Sequence, residues 1–188
     1  MSIIILHFSH GRKGFEYIIH CLQAIQNSTF RDYEVIVFDQ GSTDGSVNYI
    51  LENFPSIKLI RNDKNLGPTL GRNNGAKFAR GKYLVFLDDD TKVEATWLEE
   101  LVKATQSNQP QIGIFGSLEA PYDGEANYNG VHGVCDVLGC SFGDHNGYKI
   151  NKKHNFFETL EFAILVKRGA FEEVEGFDPR YFIAGGLD

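Results

Sequence analysis

A chain of 188 residues that is 42% hydrophobic and 13% aromatic has the composition of an ordinary globular protein and can bury the core of one domain. Its formal net charge of -7 excludes a general nucleic-acid binder, which needs a basic face, and leaves room only for a local basic pocket around one nucleotide. Three Cys, an odd number, with six His and no secretory leader point to a reducing, cytoplasmic setting without a disulfide framework.

The apolar run at 2–8 is too short to span a bilayer and lacks a basic flank, so it reads as a strand. No transmembrane segment is expected, and any contact with the inner face of the membrane would be peripheral. Strand patterns at 3–8, 35–38, 57–60, 83–87 and 112–115 alternate with helical stretches at 15–26, 45–54, 68–79 and 94–106. That alternation predicts a parallel βαβ sheet. On the first helix Phe15, Ile18, Ile19, Leu22 and Ile25 share one face. From 117 to 155 the periodicity fails and Gly, Asn, Tyr and His dominate, which predicts an irregular insertion of binding loops or a flap. Residues 156–166 return as an apolar strand or strand pair, and a short helix over 169–174 leads to Gly176-Phe177-Asp178-Pro179-Arg180.

The chemistry concentrates where Gly81-Lys82-Tyr83-Leu84-Val85-Phe86-Leu87 ends in Asp88-Asp89-Asp90-Thr91. An unbroken apolar run bounded by glycine and acids reads as a strand buried on both faces. In an open α/β sheet the ligand crevice lies at the carboxyl ends of such strands, which puts the carboxylates where substrates bind. In an extended chain Asp88 and Asp90 point to one face and Asp89 to the other. Like charges this close repel by about a kcal/mol per pair even in water, so the triplet wants a counter-charge. A hard cation, Mg²⁺ or Mn²⁺, held by one or two of these carboxylates would keep positions open for a substrate phosphate. Helix capping is the plainer alternative: Thr91 and Glu94 form a capping box ahead of an amphipathic helix, a role that needs none of the three Asp.

Two further segments accompany this one. Val35-Ile36-Val37-Phe38 runs into Asp39-Gln40-Gly41-Ser42-Thr43-Asp44-Gly45-Ser46, a second buried strand ending in an acid. Asp39 there can accept hydrogen bonds from a base N–H or a ribose hydroxyl, or simply serve the turn, while Asp44 or Thr43 caps the next helix. Asn65-Leu66-Gly67-Pro68-Thr69-Leu70-Gly71-Arg72-Asn73-Asn74-Gly75 is a glycine turn, a Pro near a helix start, and a helix with Gly71 and Gly75 on one face. Each glycine costs nearly 1 kcal/mol of helix propensity relative to Ala, which close approach to the sheet would justify. Arg72, early in that helix, can reach a phosphate or a base.

In this order and at this spacing, Asp-x-Gly-Ser-Thr-Asp-Gly-Ser, Asn-Leu-Gly with Arg-Asn-x-Gly, and Gly-x-Tyr-x-x-Phe-Leu-Asp-x-Asp resemble the nucleotide-sugar-binding half of family 2 glycosyltransferases, which have the GT-A fold. The resemblance covers about residues 2–106 and resumes more loosely near 165. It implies a single GT-A catalytic domain over 1–188, with a central, mostly parallel sheet flanked by helices. Residues 1–106 would form the nucleotide-sugar half and 107–188 the acceptor-side half. Carried over by motif, Asp39 contacts the nucleoside, Asp88 the ribose, and Asp90 is the direct ligand of Mn²⁺ or Mg²⁺; Arg72 and Asp89 belong to the same donor-nucleotide surface. The family's acidic pair with the catalytic base is replaced by Ala184-Gly185-Gly186-Leu187-Asp188, which leaves Asp188 as the acid in that place. Leu6-His7-Phe8-Ser9-His10 likewise stands where the family has Thr-Tyr-Asn.

The implied reaction is an inverting transfer from a nucleoside-diphosphate sugar to a hydroxyl of a saccharide, a lipid-linked acceptor or a protein, as in polysaccharide biosynthesis. A Gly-rich loop at 129–139 is similar to one in rhamnosyltransferase-like members, which hints at a UDP- or dTDP-sugar. In the same loop His132, Cys135, Cys140 and His145 have the spacing of a permuted zinc knuckle. A dinucleotide-dependent oxidoreductase would also place an acid after its second strand, but Ser9-His10-Gly11-Arg12-Lys13-Gly14 lacks G-x-G-x-x-G. A non-catalytic nucleotide-sugar binding module is the other alternative.

Overall fold

The structure, a computed structural model, describes residues 1–106, 112–117, 133–135, 141–143 and 163–180. In chain order the elements are β1 (Ser2–His7), α1 (Arg12–Gln26), β2 (Glu34–Asp39), α2 (Ser46–Asn53), β3 (Lys58–Arg61), α3 (Gly67–Ala76), β4 (Tyr83–Asp88), α4 (Trp97–Thr105), β5 (Ile114–Gly116), β6 (Gly133–Cys135), β7 (Ser141–Gly143), β8 (Ala163–Lys167) and α5 (Arg168–Glu173).

Six strands form one sheet in the order β3-β2-β1-β4-β8-β5. The β3-β2-β1-β4 pairings are parallel, and β8 runs antiparallel to both of its neighbours, so the sheet is mixed but mostly parallel. Alternation along the strands divides the core in two. Ile3, Ile5, Val37, Val85, Leu87 and Leu165 face α1, α2 and α4, which supply Ile18, Leu22, Ile25, Ile50, Leu98 and Leu101. On the opposite face Ile4, Leu84, Phe86, Ile164 and Val166 pack with Ala76 of α3, Phe171 of α5 and Phe177. The two glycines of α3 serve the expected close approach: a Cβ on Gly75 would lie 2.7 Å from Ile4 Cγ2, and one on Gly71 would press into Leu6.

Two expectations need correcting. The 117–155 stretch is not wholly irregular, because β6 and β7 pair antiparallel inside it, with Gly133 opposite Gly143. Strands of three residues with glycine at an end carry no alternating apolar pattern to read. The helix after the acidic triplet starts at Trp97, not at the Thr91-Glu94 box. The Thr91 amide instead closes a turn on the Asp88 carbonyl (3.2 Å), and the Ala95 carbonyl accepts the Thr29 amide (2.8 Å). Thr91 therefore does not cap α4, whose preceding residue Thr96 makes no side-chain cap bond either.

Candidate active site

Register brings the acids together. His7 lies opposite Asp39 and Leu6 opposite Asp88, so the carboxyl ends of β2, β1 and β4 form one edge with an acid on either side of β1. The loops beyond that edge are stitched by backbone and hydroxyl groups. Gln40 N–H donates to the His7 carbonyl (2.8 Å), Thr43 N–H to the Ser9 carbonyl (3.0 Å), and Ser9 N–H to Ser42 Oγ (2.9 Å).

Asp39 is fully buried. Its two oxygens accept the N–H groups of Gly41 (3.2 Å) and Ser42 (3.1 Å), and Arg61 Nε lies 3.6 Å from Oδ2. The turn-serving role is thus realised, and the positive φ of Gly41 (91°) is the backbone freedom that turn needs. Gly45 (φ 90°) similarly precedes α2 in the left-handed region. One residue earlier, Asp44 Oδ1 accepts both the N–H (3.0 Å) and the hydroxyl (2.6 Å) of Ser46. Burial works against that carboxylate, but the Ser46 and Ser9 hydroxyls, the Ser46 amide and the nearby His7 hold Asp44 below the ordinary range.

Asp88 and Asp89 turn to opposite faces as alternation requires, but β4 ends at Asp88 and the chain turns over 89–90, so Asp90 does not continue the alternation onto the Asp88 face. Asp88 turns to the α3 face, where Arg72, only 6% exposed, donates from Nη2 to Asp88 Oδ1 at 2.8 Å. Asp89 turns to the other face and accepts from His7 Nδ1 at 2.5 Å. Asp90 is exposed at the tip of the turn. Beneath it the Cys21 thiol is pushed well up by burial and by the negative field of Asp89, Asp90 and Asp88. Among the described residues no three His, Cys, Asp or Glu side chains converge as a closed metal cage.

Two residues here escaped the sequence reading. His7 is fully buried between Asp89 and Ser46 Oγ (2.8 Å). Gln40, 2% exposed, accepts the Leu66 N–H (2.9 Å) and donates to Asn65 Oδ1 (3.1 Å), tying the loop after β2 to the turn before α3. Each sits inside a motif whose register could have flagged it: His7 ends β1 beside two acids, and Gln40 follows Asp39 directly. Phe8, 41% exposed, packs edge-on against His10 with ring centroids 4.4 Å apart, and Thr43 Oγ1 lies 2.7 Å from His10 Nδ1. Asp188, His132, Cys140 and His145 lie outside the described residues, as does the side chain of Cys135.

Known proteins resemble this chain in sequence and in fold. The chain is 27% identical over 177 residues to Glycosyltransferase GlyA of Streptococcus pneumoniae serotype 4, an alignment covering 91% of this chain and 24% of GlyA. The fold matches S. aureus TarS 1-349 in complex with UDP, with a TM-score of 0.68, 17% identity, and coverage of 97% of this chain and 51% of that one. It also matches the mannosyltransferase PcManGT from Pyrobaculum calidifontis, solved with GDP-Man and Mn²⁺, with a TM-score of 0.66, 19% identity, and coverage of 95% and 47%. The chain therefore spans about a quarter of the length of that curated relative and about half of these solved chains. The fold is GT-A, as the motifs imply. The family model of glycosyl transferase family 2 matches residues 2–174, and the chain belongs to that family.

Proposed function

We propose that this chain binds a nucleoside-diphosphate sugar at the β2-β1-β4 edge and transfers the sugar, with inversion, to an acceptor hydroxyl in a metal-dependent reaction. The observation that carries this reading is the row of acids on adjoining strand ends, Asp39 and Asp88 flanking β1, with the buried Arg72 cation on Asp88. The same edge gives each donor moiety a partner. Exposed Phe8 offers a ring face to a base. Asp39, fully buried, would act on the nucleoside through the 41–42 turn that it holds. Asp88 and Arg72 together present an acceptor and a cation to ribose and phosphate.

The triplet turn suits a hard divalent ion of the kind that takes one or two carboxylates and completes its shell with phosphate and water. Asp90 would hold Mn²⁺ or Mg²⁺, and such an ion would offset negative charge on the leaving diphosphate. PcManGT, solved with GDP-Man and Mn²⁺, and TarS, solved with UDP, support a nucleotide-sugar donor of this type. In the transfer the acceptor oxygen forms a bond to the anomeric carbon while the bond to the diphosphate oxygen breaks. The acceptor proton passes to a carboxylate, Asp188 on the motif alignment, a contribution of about 10²- to 10⁴-fold.

Calorimetric titration with UDP, dTDP and GDP, first with Mn²⁺ and then with chelator, tests the reading. Metal-dependent binding of one nucleotide is expected, and Asp90→Ala should abolish its metal dependence. Absence of binding to all three nucleotides, or an Asp90→Ala protein with full metal-dependent binding, would overturn it. Release of sugar from a labelled donor then separates an enzyme from a binding module.

A further inference from the structure

We propose that His7 is a positioning residue that fixes the acidic turn through Asp89, so that the middle carboxylate of the triplet serves as an anchor rather than as a donor contact. The proposal rests on the donor-site reading above for its functional meaning, but its geometry stands apart from it.

His7 ends β1 with no solvent exposure, and both of its ring nitrogens are engaged. Nδ1 is 2.5 Å from Asp89 Oδ2 and Nε2 is 2.8 Å from Ser46 Oγ. Ser46 spends its only hydroxyl proton on Asp44 Oδ1 at 2.6 Å, so its lone pair is what faces the ring. The ring thus spans the Asp89 carboxylate on one side and the Ser46 hydroxyl on the other. The ring bridges three separate elements: the end of β1, the turn after β4, and the first residue of α2.

The consequence for the turn is mechanical. Arg72 draws Asp88 toward α3 while His7 draws Asp89 toward the opposite face. Two anchors pulling to opposite sides of β4 leave few arrangements for the next residue, and the Thr91 amide closes the turn on the Asp88 carbonyl. Asp90, exposed at the tip of the turn, is thereby held in place as the residue that would take the ion. Partners that orient a ligand without touching the metal commonly change its affinity by 10- to 100-fold.

The test uses the full chain as wild type, His7→Phe and His7→Asn. Phenylalanine keeps the ring volume without either nitrogen; the asparagine amide can restore a donor to Asp89 at the Nδ1 position. Two quantities are read: hydrogen exchange of the amides at 88–91, and Mn²⁺ affinity by electron paramagnetic resonance with UDP, dTDP and GDP. His7→Phe should speed exchange at the turn selectively and weaken Mn²⁺ binding by about 10-fold or more, with substantial recovery in His7→Asn. Wild-type exchange and Mn²⁺ affinity in His7→Phe would overturn the proposal. So would an equal, uniform rise in exchange over β1 and α2 in both variants, which marks a residue that only fills space. If wild type takes up no Mn²⁺ with any of the three nucleotides while His7→Phe still loosens 88–91, the donor-site reading fails and the His7–Asp89 anchor is upheld.

Discussion

Asn73 and Phe177, 104 positions apart, form a closed amide pair: Asn73 Nδ2–H donates to the Phe177 carbonyl at 2.7 Å, and Phe177 N–H donates to Asn73 Oδ1 at 2.9 Å. This joins α3, which carries Arg72 one residue earlier, to the segment after α5. The fit is close, since Gly176 has φ 83° and a Cβ there would lie 2.7 Å from Asn73 Oδ1. Phe177 then stacks edge-on against Phe86 of β4, centroids 5.0 Å apart.

Replacing Asn73 with Ala removes both bonds and leaves a backbone N–H and C=O short of partners. A loss of about 1–3 kcal/mol is expected in urea denaturation. Asn73→Asp keeps the acceptor but sets a carboxylate oxygen against the Phe177 carbonyl, so it should be no better than Ala. Faster hydrogen exchange confined to 176–178 would accompany both. An Asn73→Asp protein with wild-type stability and exchange would show that the pair does not hold this segment.

The Arg72–Asp88 pair makes a second prediction. The Arg72 side chain is 8% exposed and that of Asp88 33%, so removing the guanidinium strands a carboxylate only partly reached by water. Arg72→Ala should cost about 1.5–3 kcal/mol, the range for hydrogen bonds to charged groups. Arg72→Lys keeps the charge without the planar fork and should fall between. On the proposed function both also weaken nucleotide binding in calorimetry, Ala more than Lys. Equal denaturation midpoints for all three proteins would remove the pair from the account of stability.

Much of this site was legible because strand ends and motifs coincide. The buried runs before Asp39 and Asp88 announce central strands, and a parallel sheet then obliges their carboxyl ends to meet at one edge. Period-two alternation correctly separates Asp88 from Asp89 across the sheet. Partner choice is not periodic, which is why His7 passed unnoticed: pairing it with Asp89 needs the register of β1 on β4 and the direction of the turn. The false capping box at Thr91 has the same cause. Thr-x-x-Glu ahead of an apolar helix satisfies the local pattern, but tertiary bonds from Thr29 to Ala95 delay the helix to Trp97.

Gly75 tests the close approach of α3 to the sheet. Alanine would recover roughly 1 kcal/mol of helix propensity. Its Cβ, however, would lie 2.7 Å from Ile4 Cγ2 and 3.4 Å from Phe38 Cβ, both on fully or nearly fully buried strands. Overpacking of this kind typically costs about 1–3 kcal/mol, so the net change should be destabilising. A Gly75→Ala protein more stable than wild type in urea would mean that α3 can lift from the sheet without loss.

Glu34 makes the folded state sensitive to acid. Its Oε1 accepts from Ser2 Oγ (2.6 Å) and from the Arg80 amide (2.7 Å), and its Oε2 accepts from Arg80 Nε (3.0 Å), joining the starts of β1 and β2 to the loop before β4. Burial raises the carboxyl's pKa, but these donors outweigh it and hold the group below its usual 4.5. A carboxyl with a lower pKa in the folded than in the unfolded chain stabilises fully above its unfolded value, and that stabilisation is lost as pH falls through the folded value. Glu34→Gln abolishes the titration while keeping the size. The stability difference between wild type and Glu34→Gln should therefore be constant from about pH 6 to 7 and shrink below about pH 4.5. The Arg80 side chain is 83% exposed, so screening should make the share of its guanidinium small and leave the Ser2 hydroxyl and Arg80 amide dominant. Urea denaturation from pH 3 to 7 at low and high salt checks both points. A difference independent of pH would show that Glu34 titrates alike in the folded and unfolded chain, and a difference erased by salt would assign the effect to Arg80 instead.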